Sequence, residues 1–205
     1  MTDNKAVSPS QLKKNRWMLL ILLASFVLPF VVGDFAYRFG WYLGGKTNHG
    51  QLINPPAAFS GFQASQKAGE PVTTSFIQAN WWLLYVMPAD CTSACRNRLF
   101  QMRQVRKALG KESERVRTLL VTTSALSSDV VTLLQNEFPD FVQVQADAAN
   151  VNTAMSQVIP NAADAGNLFI MDTMGWIMLM YAPEPDEASS VVKAEDILND
   201  LKKQR

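Results

Sequence analysis

The chain has 205 residues, 48% hydrophobic and 18% charged, which suits one medium-sized domain and an additional segment. Its net charge of +1 supplies no long-range attraction to nucleic acid or acidic surfaces, so no nucleic-acid partner is expected. The one histidine, His49, comes with neither a Gly-x-Ser-x-Gly turn nor a Walker-type glycine loop, which sets aside Ser–His–Asp hydrolysis and nucleotide phosphate binding; with only two cysteines, it also makes a poor zinc site.

The first element is an apolar run within KKNRWMLLILLASFVLPFVVGDFAYRFGW. No charge falls between Trp17 and Gly33; Asp34 interrupts, and Phe35, Ala36 and Tyr37 continue the apolar character. Residues 17–37 match the roughly 20 residues a helix needs to cross a bilayer core. Lys13, Lys14 and Arg16 flank it on one side, and Trp17, Trp41 and Tyr42 suit the two interfacial belts. The positive flank predicts a cytoplasmic segment 1–16, a transmembrane helix over 17–37 and an exported remainder. The alternative is a cleaved signal peptide, with Val31 and Gly33 before a cut at Asp34; the length of the run and the aromatic residues after it favour an uncleaved anchor. In a bacterium either reading delivers the rest of the chain to the oxidising periplasm, the anchored form from the inner membrane.

Residues 38–74 read as a turn-rich tether and lead-in, with a short strand in GQLINPP stopped by Pro55. The domain proper is expected over 75–205. FIQANWWLLYVM is a buried strand ended by Pro88, and CRNRLFQMRQVRKALG is a helix with Cys95, Leu99, Met102, Val105 and Leu109 on one stripe, ended by Gly110. RVRTLLVTT is a strand, SSDVVTLLQNEF a helix opened by a serine cap, and FVQVQAD a strand. NLFIMD and WIMLMY flank TMG as a β-hairpin, and VVKAEDILNDLKK is an amphipathic helix with Ala194, Ile197, Leu198 and Leu201 on one face. This order predicts an α/β fold, a mixed sheet flanked by helices.

Both cysteines, Cys91 and Cys95, fall in PADCTSAC, where the first core strand hands over to its helix. Four residues apart, they share a helical face and can bridge or hold one soft ion. A helix N-terminus and the nearby Arg96 and Arg98 favour thiolate, the nucleophilic and metal-binding form; Asp90 opposes this unless its carboxylate caps the helix. An exported chain with no other cysteine points to a working pair rather than two buried small residues.

The stretch NWWLLYVMPADCTSACRNRL, the later NLFIMDTMGWIM and the N-terminal anchor resemble the Sco (SCO1/SenC) copper chaperones of cytochrome c oxidase. The resemblance implies a thioredoxin-like domain on a membrane tether. Cys91 and Cys95 match the family's C-x3-C motif, and Asp172 and Gly175 its late hairpin. Two departures stand out: the family's histidine, which completes the copper site, has its place near Asp164 in NAADAGN, and Thr92 stands where a proline is common.

The resemblance implies assembly of a haem–copper oxidase, with an oxidase subunit or a copper chaperone as partner. The chemistry expected is dithiol/disulfide exchange, Cys91 attacking and Cys95 resolving, to keep a copper-binding target reduced. The alternatives are delivery of Cu(I) held between Cys91 and Cys95, and a scaffold whose site is idle. Met171, Met174, Met178 and Met180 offer thioethers for Cu(I), although methionine is more often a core filler. The basic run from Arg96 to Arg117 reads as a solvated face before an acidic-partner or lipid surface, and His49 as a surface residue. Trp81 and Trp82 are expected to divide between the two faces of their strand.

Overall fold

The structure, a computed structural model, describes residues 9–39, 48–88, 90–184 and 187–203. The chain divides into two units, Met1–Thr47 and Asn48–Arg205.

In the first unit a single helix, α1, runs over Pro9–Arg38. Its segment Lys13–Arg38, 26 residues, is long and apolar enough to cross a membrane, and none of its most apolar window is buried by protein. The helix extends beyond both ends of the span expected from the sequence, because nothing stops helix formation at Trp17 or Tyr37. Pro29 lies inside it, a position tolerated in apolar helices. Asp34, which interrupts the apolar run, is engaged by Arg38 Nε at 2.9 Å one turn on. The interfacial residues Trp41 and Tyr42, and the GGKT turn, lie outside the described residues.

The second unit is built on a seven-stranded sheet. Its strands are β1 (Gln51–Ala58), β2 (Ser65–Gln66), β3 (Trp81–Met87), β4 (Val116–Thr122), β5 (Val142–Gln145), β6 (Leu168–Met171) and β7 (Trp176–Tyr181), in the order β1-β7-β6-β3-β4-β5-β2. β3, β4 and β5 are parallel, and the other pairings are antiparallel. The mixed sheet matches the expected fold class.

Side chains of β3 alternate between two cores. Trp82, Leu84 and Val86 join Met155 of α5 (Ala148–Met155), Ile77 of α2 (Thr74–Ile77) and Phe59 and Phe62 on one face. Leu83, Tyr85 and Met87 join α3 (Ser93–Ala108), α4 (Ser128–Glu137) and α6 (Glu187–Lys203) on the other. Trp81 packs against this second core while Trp82 is buried in the first, as strand alternation requires. Ser127 caps α4, accepting from Val130 N. Between β6 and β7, Asp172 Oδ1 accepts from the backbone N–H of Met174 and of Trp176, each at 2.8 Å, and Gly175 takes φ 89°. The hairpin turn therefore requires this Asp and Gly for local reasons.

Three features differ from the sequence reading. The lead-in is not a bare tether: β1 and β2 form both edges of the sheet. Pro55 does not stop β1, because the prolines fall where the ladder with β7 is interrupted between Leu52 and Ala57, on an edge strand where a missing N–H costs little. Phe76 and Ile77 belong to the turn of α2 and not to β3, and α5, capped by Asp147, was not anticipated.

Where the second unit begins, a buried carboxylate fastens the chain. Asp200 Oδ2 accepts from His49 N (2.8 Å), Gly50 N (2.9 Å) and the Tyr181 hydroxyl (2.7 Å), while Lys203 Nζ stands 3.3 Å from Oδ1. Burial and the Asp200 contact push the Tyr181 hydroxyl pKa up. A Cβ on Gly50 would meet Tyr181 Cζ at 2.6 Å. The nearby ion pair of His49 Nδ1 with Asp196 is half-exposed. Asp200→Ala, which strands two N–H groups and a hydroxyl, is expected to cost about 3 kcal/mol of unfolding free energy in urea melts. Gly50→Ala should cost about 1–3 kcal/mol, and Asp196→Ala under about 1 kcal/mol.

Candidate functional site

β3 delivers the chain to the cysteines. It ends at Met87, Pro88 cannot continue the ladder, and Asp90 is exposed. Thr92 is the N-cap of α3 in extended conformation, so the helix proper starts at Ser93. Cys91 therefore lies just before the N-cap, and Cys95 is the third helical residue. The helix begins two residues before the expected start at Cys95, and the pair straddles that start. The two are joined by a disulfide with Cα atoms 5.0 Å apart.

Their environments differ. Cys95 is 2% exposed and packs in the core with Tyr85, Met87, Leu99 and Met102. Cys91 is half-buried at the rim of that core. The first turn of α3, which follows Cys91 after the N-cap, has neither a side-chain cap from Thr92 nor an acidic residue to engage its N–H groups. Asp90 contributes its backbone carbonyl, which accepts from Thr92 N at 3.0 Å. Once the bridge opens, this uncapped positive end favours a thiolate on Cys91.

The two arginines near the pair behave differently. Arg96 is exposed. Arg98 is buried, its guanidinium donating to Gln101 Oε1 and to Ala182 O, and burial lowers its pKa. Gln101 Nε2 donates to Ser190 O at 2.6 Å. Beside them Tyr85 is pushed up to about pKa 12 by burial, partly offset by Arg98. This polar ladder ties the cysteine helix to the β7–α6 connection. The sequence reading did not single out Gln101 or Asp200; the available signal was a polar residue amid an apolar stripe, as Gln101 stands before Met102 and Asp200 before Leu201.

The other sequence candidates lie elsewhere. His49 pairs with Asp196 at 2.9 Å on α6. Asp164, at the expected place of the third copper ligand, is exposed. Met171 and Met180 are buried in the core of Trp82, on the sheet face opposite Cys95, and Met174 is exposed on the hairpin turn. They do not converge on the cysteines. In the basic run, Arg103 pairs with Glu137, Arg106 with Asp140 and Arg115 with Glu112, so much of its charge serves local contacts. No group of three or more His, Cys, Asp or Glu side chains disposed to hold a metal occurs among the described residues.

A disulfide at the junction of a core strand and its helix, on a mixed sheet covered on both faces, defines a thioredoxin-like domain. The sequence over residues 81–203 matches the family of transmembrane-like, thioredoxin-like C-terminal domains, and the chain belongs to it. No curated protein matches the sequence. Among solved structures, the chain is similar to apo Sco1 from Thermus thermophilus at 17% identity, covering 77% of this chain and 97% of that one with a TM-score of 0.55. It is similar to yeast Sco1 with copper bound at 14% identity, covering 78% and 97% with a TM-score of 0.52. BsSco, a member of the Sco family of cytochrome c oxidase assembly proteins in which a disulfide switch has been identified, aligns at 13% identity over 72% and 93% with a TM-score of 0.52. At these identities the likeness is one of fold, and it bears out the thioredoxin-like architecture expected from the Sco resemblance.

The unequal burial sets an order of reactivity. After reduction, brief alkylation at neutral pH should label Cys91 first and Cys95 slowly, read by peptide mass mapping; equal labelling would show that the helix start is open in solution.

Proposed function

We propose that the chain is a membrane-anchored, periplasmic thiol–disulfide exchange protein that keeps the cysteines of a copper site reduced during assembly of a haem–copper oxidase. The observation that carries this reading is the division of labour within the pair: a half-buried Cys91 at an uncapped helix start, bridged to a buried Cys95. In the reduced protein the Cys91 thiolate attacks a target disulfide and forms a mixed disulfide, and one target sulfur leaves as thiolate. Cys95, deprotonated, then attacks Cys91, closing the bridge and releasing the second target thiolate. Two electrons pass to the target, and a dithiol reductant regenerates the protein. The apolar helix Lys13–Arg38 supports anchoring in an inner membrane, and the basic residues before it support a cytoplasmic N-terminus.

Delivery of copper is the second reading, supported by two sulfurs close enough to hold Cu(I) in linear coordination. With His49 engaged by Asp196 and Asp164 in place of a histidine, the residues present fit the two-sulfur Cu(I) site better than a Cu(II) site that needs imidazole. Copper here is cargo.

Two measurements follow. Cys95→Ser should trap a mixed disulfide with a target through Cys91, resolved by reducing agent, whereas Cys91→Ser should trap none; absence of trapping with either variant favours the scaffold reading. Titration of the reduced protein should show Cu(I) binding that requires both cysteines and weak Cu(II) binding. Tight Cu(II) binding lost in His49→Gln would reinstate an imidazole ligand.

A further inference from the structure

Opening the bridge puts an anion in an apolar place. Cys95 is buried in a core with Tyr85, Met87, Leu99 and Met102, none of which carries a charge. When a thiolate attacks the half-buried Cys91, the S–S bond breaks and Cys95 leaves with its electron pair. A buried thiolate without a counter-charge is costly, and that cost slows the step that creates it.

One cation stands close to where this charge arises. Arg98 follows Cys95 by three residues on α3, so their Cβ atoms are about 5–6 Å apart. Both residues are buried. Helical side chains lean toward the N-terminus, which carries the Arg98 guanidinium back over the turn that holds Cys95. Its bond to Ala182 O fits this placement. Tyr181 pairs with Leu168 and Leu168 with Tyr85, so Ala182, one residue on, is level with the last residues of β3. The charge also reaches the Tyr85 hydroxyl, where burial pushes the pKa up and Arg98 partly offsets it.

The guanidinium has no bound carboxylate. Its acceptors, Gln101 Oε1 and Ala182 O, are neutral, and Glu184 acts on it only from a distance. No Asp or Glu forms an ion pair with it among the described residues. A buried cation is normally paired, because an unpaired one is costly. Arg96, next to Cys95 in sequence, is exposed and therefore screened.

The structure assigns to Arg98 the role of counter-charge for the Cys95 sulfur: its buried, carboxylate-free guanidinium stabilises the negative charge that Cys95 takes up as the bridge opens. In the closing direction it stabilises the same charge as Cys95, its proton lost to solvent, attacks Cys91 and the target sulfur leaves as thiolate. The assignment rests on the exchange reading above and names a residue that sets the rate of that exchange.

The test is the rate at which the bridge of the full-length protein in detergent opens, read by alkylation and mass, under excess dithiothreitol and separately under a neutral phosphine. Both reagents expel Cys95 as thiolate; dithiothreitol then displaces Cys91 and leaves as its cyclic disulfide, and the phosphine ends, after hydrolysis, as its oxide. Arg98→Gln should open about tenfold more slowly with either reagent. Arg98→Lys, which keeps the charge, should recover most of the rate, and Arg96→Gln should match the wild type. A purely structural role predicts the opposite sign, since a loosened α3 exposes the bridge and speeds attack. Gln101→Glu keeps Arg98 but gives it a carboxylate partner, so it should also slow opening, and it decides the matter if Arg98→Gln does not fold. Unchanged or faster opening in either variant would overturn the assignment. So would slowing with dithiothreitol alone, which would mark attraction of the incoming anion. A wild-type bridge that resists dithiothreitol but opens to the phosphine strikes the exchange reading, and the phosphine rates then judge Arg98; a bridge closed to both overturns both.

Discussion

The candidate site depends on how α3 is seated on the sheet. Leu99 and Met102 are fully buried and Val105 nearly so, continuing the stripe that Cys95 begins. Each contributes about 1.5–3 kcal/mol through burial. A bridge closing so short a loop contributes only about 2 kcal/mol by chain entropy. The helix is therefore held mainly by its apolar face, as the proposed exchange requires of a bridge that must open while the helix stays.

The same seating makes the two sulfurs unequal. A stripe that buries Cys95 leaves the residue before the N-cap at the rim, so Cys91 is the sulfur an incoming thiol or disulfide can reach. The Arg98–Gln101 ladder keeps α3 in register with the β7–α6 connection, and Asp200 fastens the first residues of the unit to the last helix. Both polar networks bury groups that would be costly alone, and the Arg98–Gln101 ladder lies on the cysteine helix itself.

Much of this was legible in the sequence. The parallel core strands declare themselves as short apolar runs between helices with regular stripes, and the hairpin through Asp172 and Gly175. The cysteine pair stood out because the chain has no others. What was hidden has physical reasons. The continuation of β1 past Pro55 was masked by Pro55 and Pro56, which are tolerated because the strand is an edge with an interrupted ladder. α5 carries small and polar residues, AANVNTAM, whose weak stripe is supplied by just Val151 and Met155. The Asp200 fastening joins residues about 150 positions apart, and no local pattern announces such a contact. α3 starts at Ser93, two residues before the expected start at Cys95, and that shift brings the helix N-terminus up to Cys91.

The central claim, that the Cys91–Cys95 bridge is exchangeable on a fold that stands without it, is tested most directly by equilibrating the protein in glutathione buffers of graded ratio. The fraction bridged would be read by alkylation and mass, and α3 by hydrogen exchange at Leu99 and Met102. A single reversible two-electron transition, with protection at those amides retained in the reduced form, is the predicted result. A bridge that stays closed at every ratio, or a reduced form in which α3 loses protection, would contradict it.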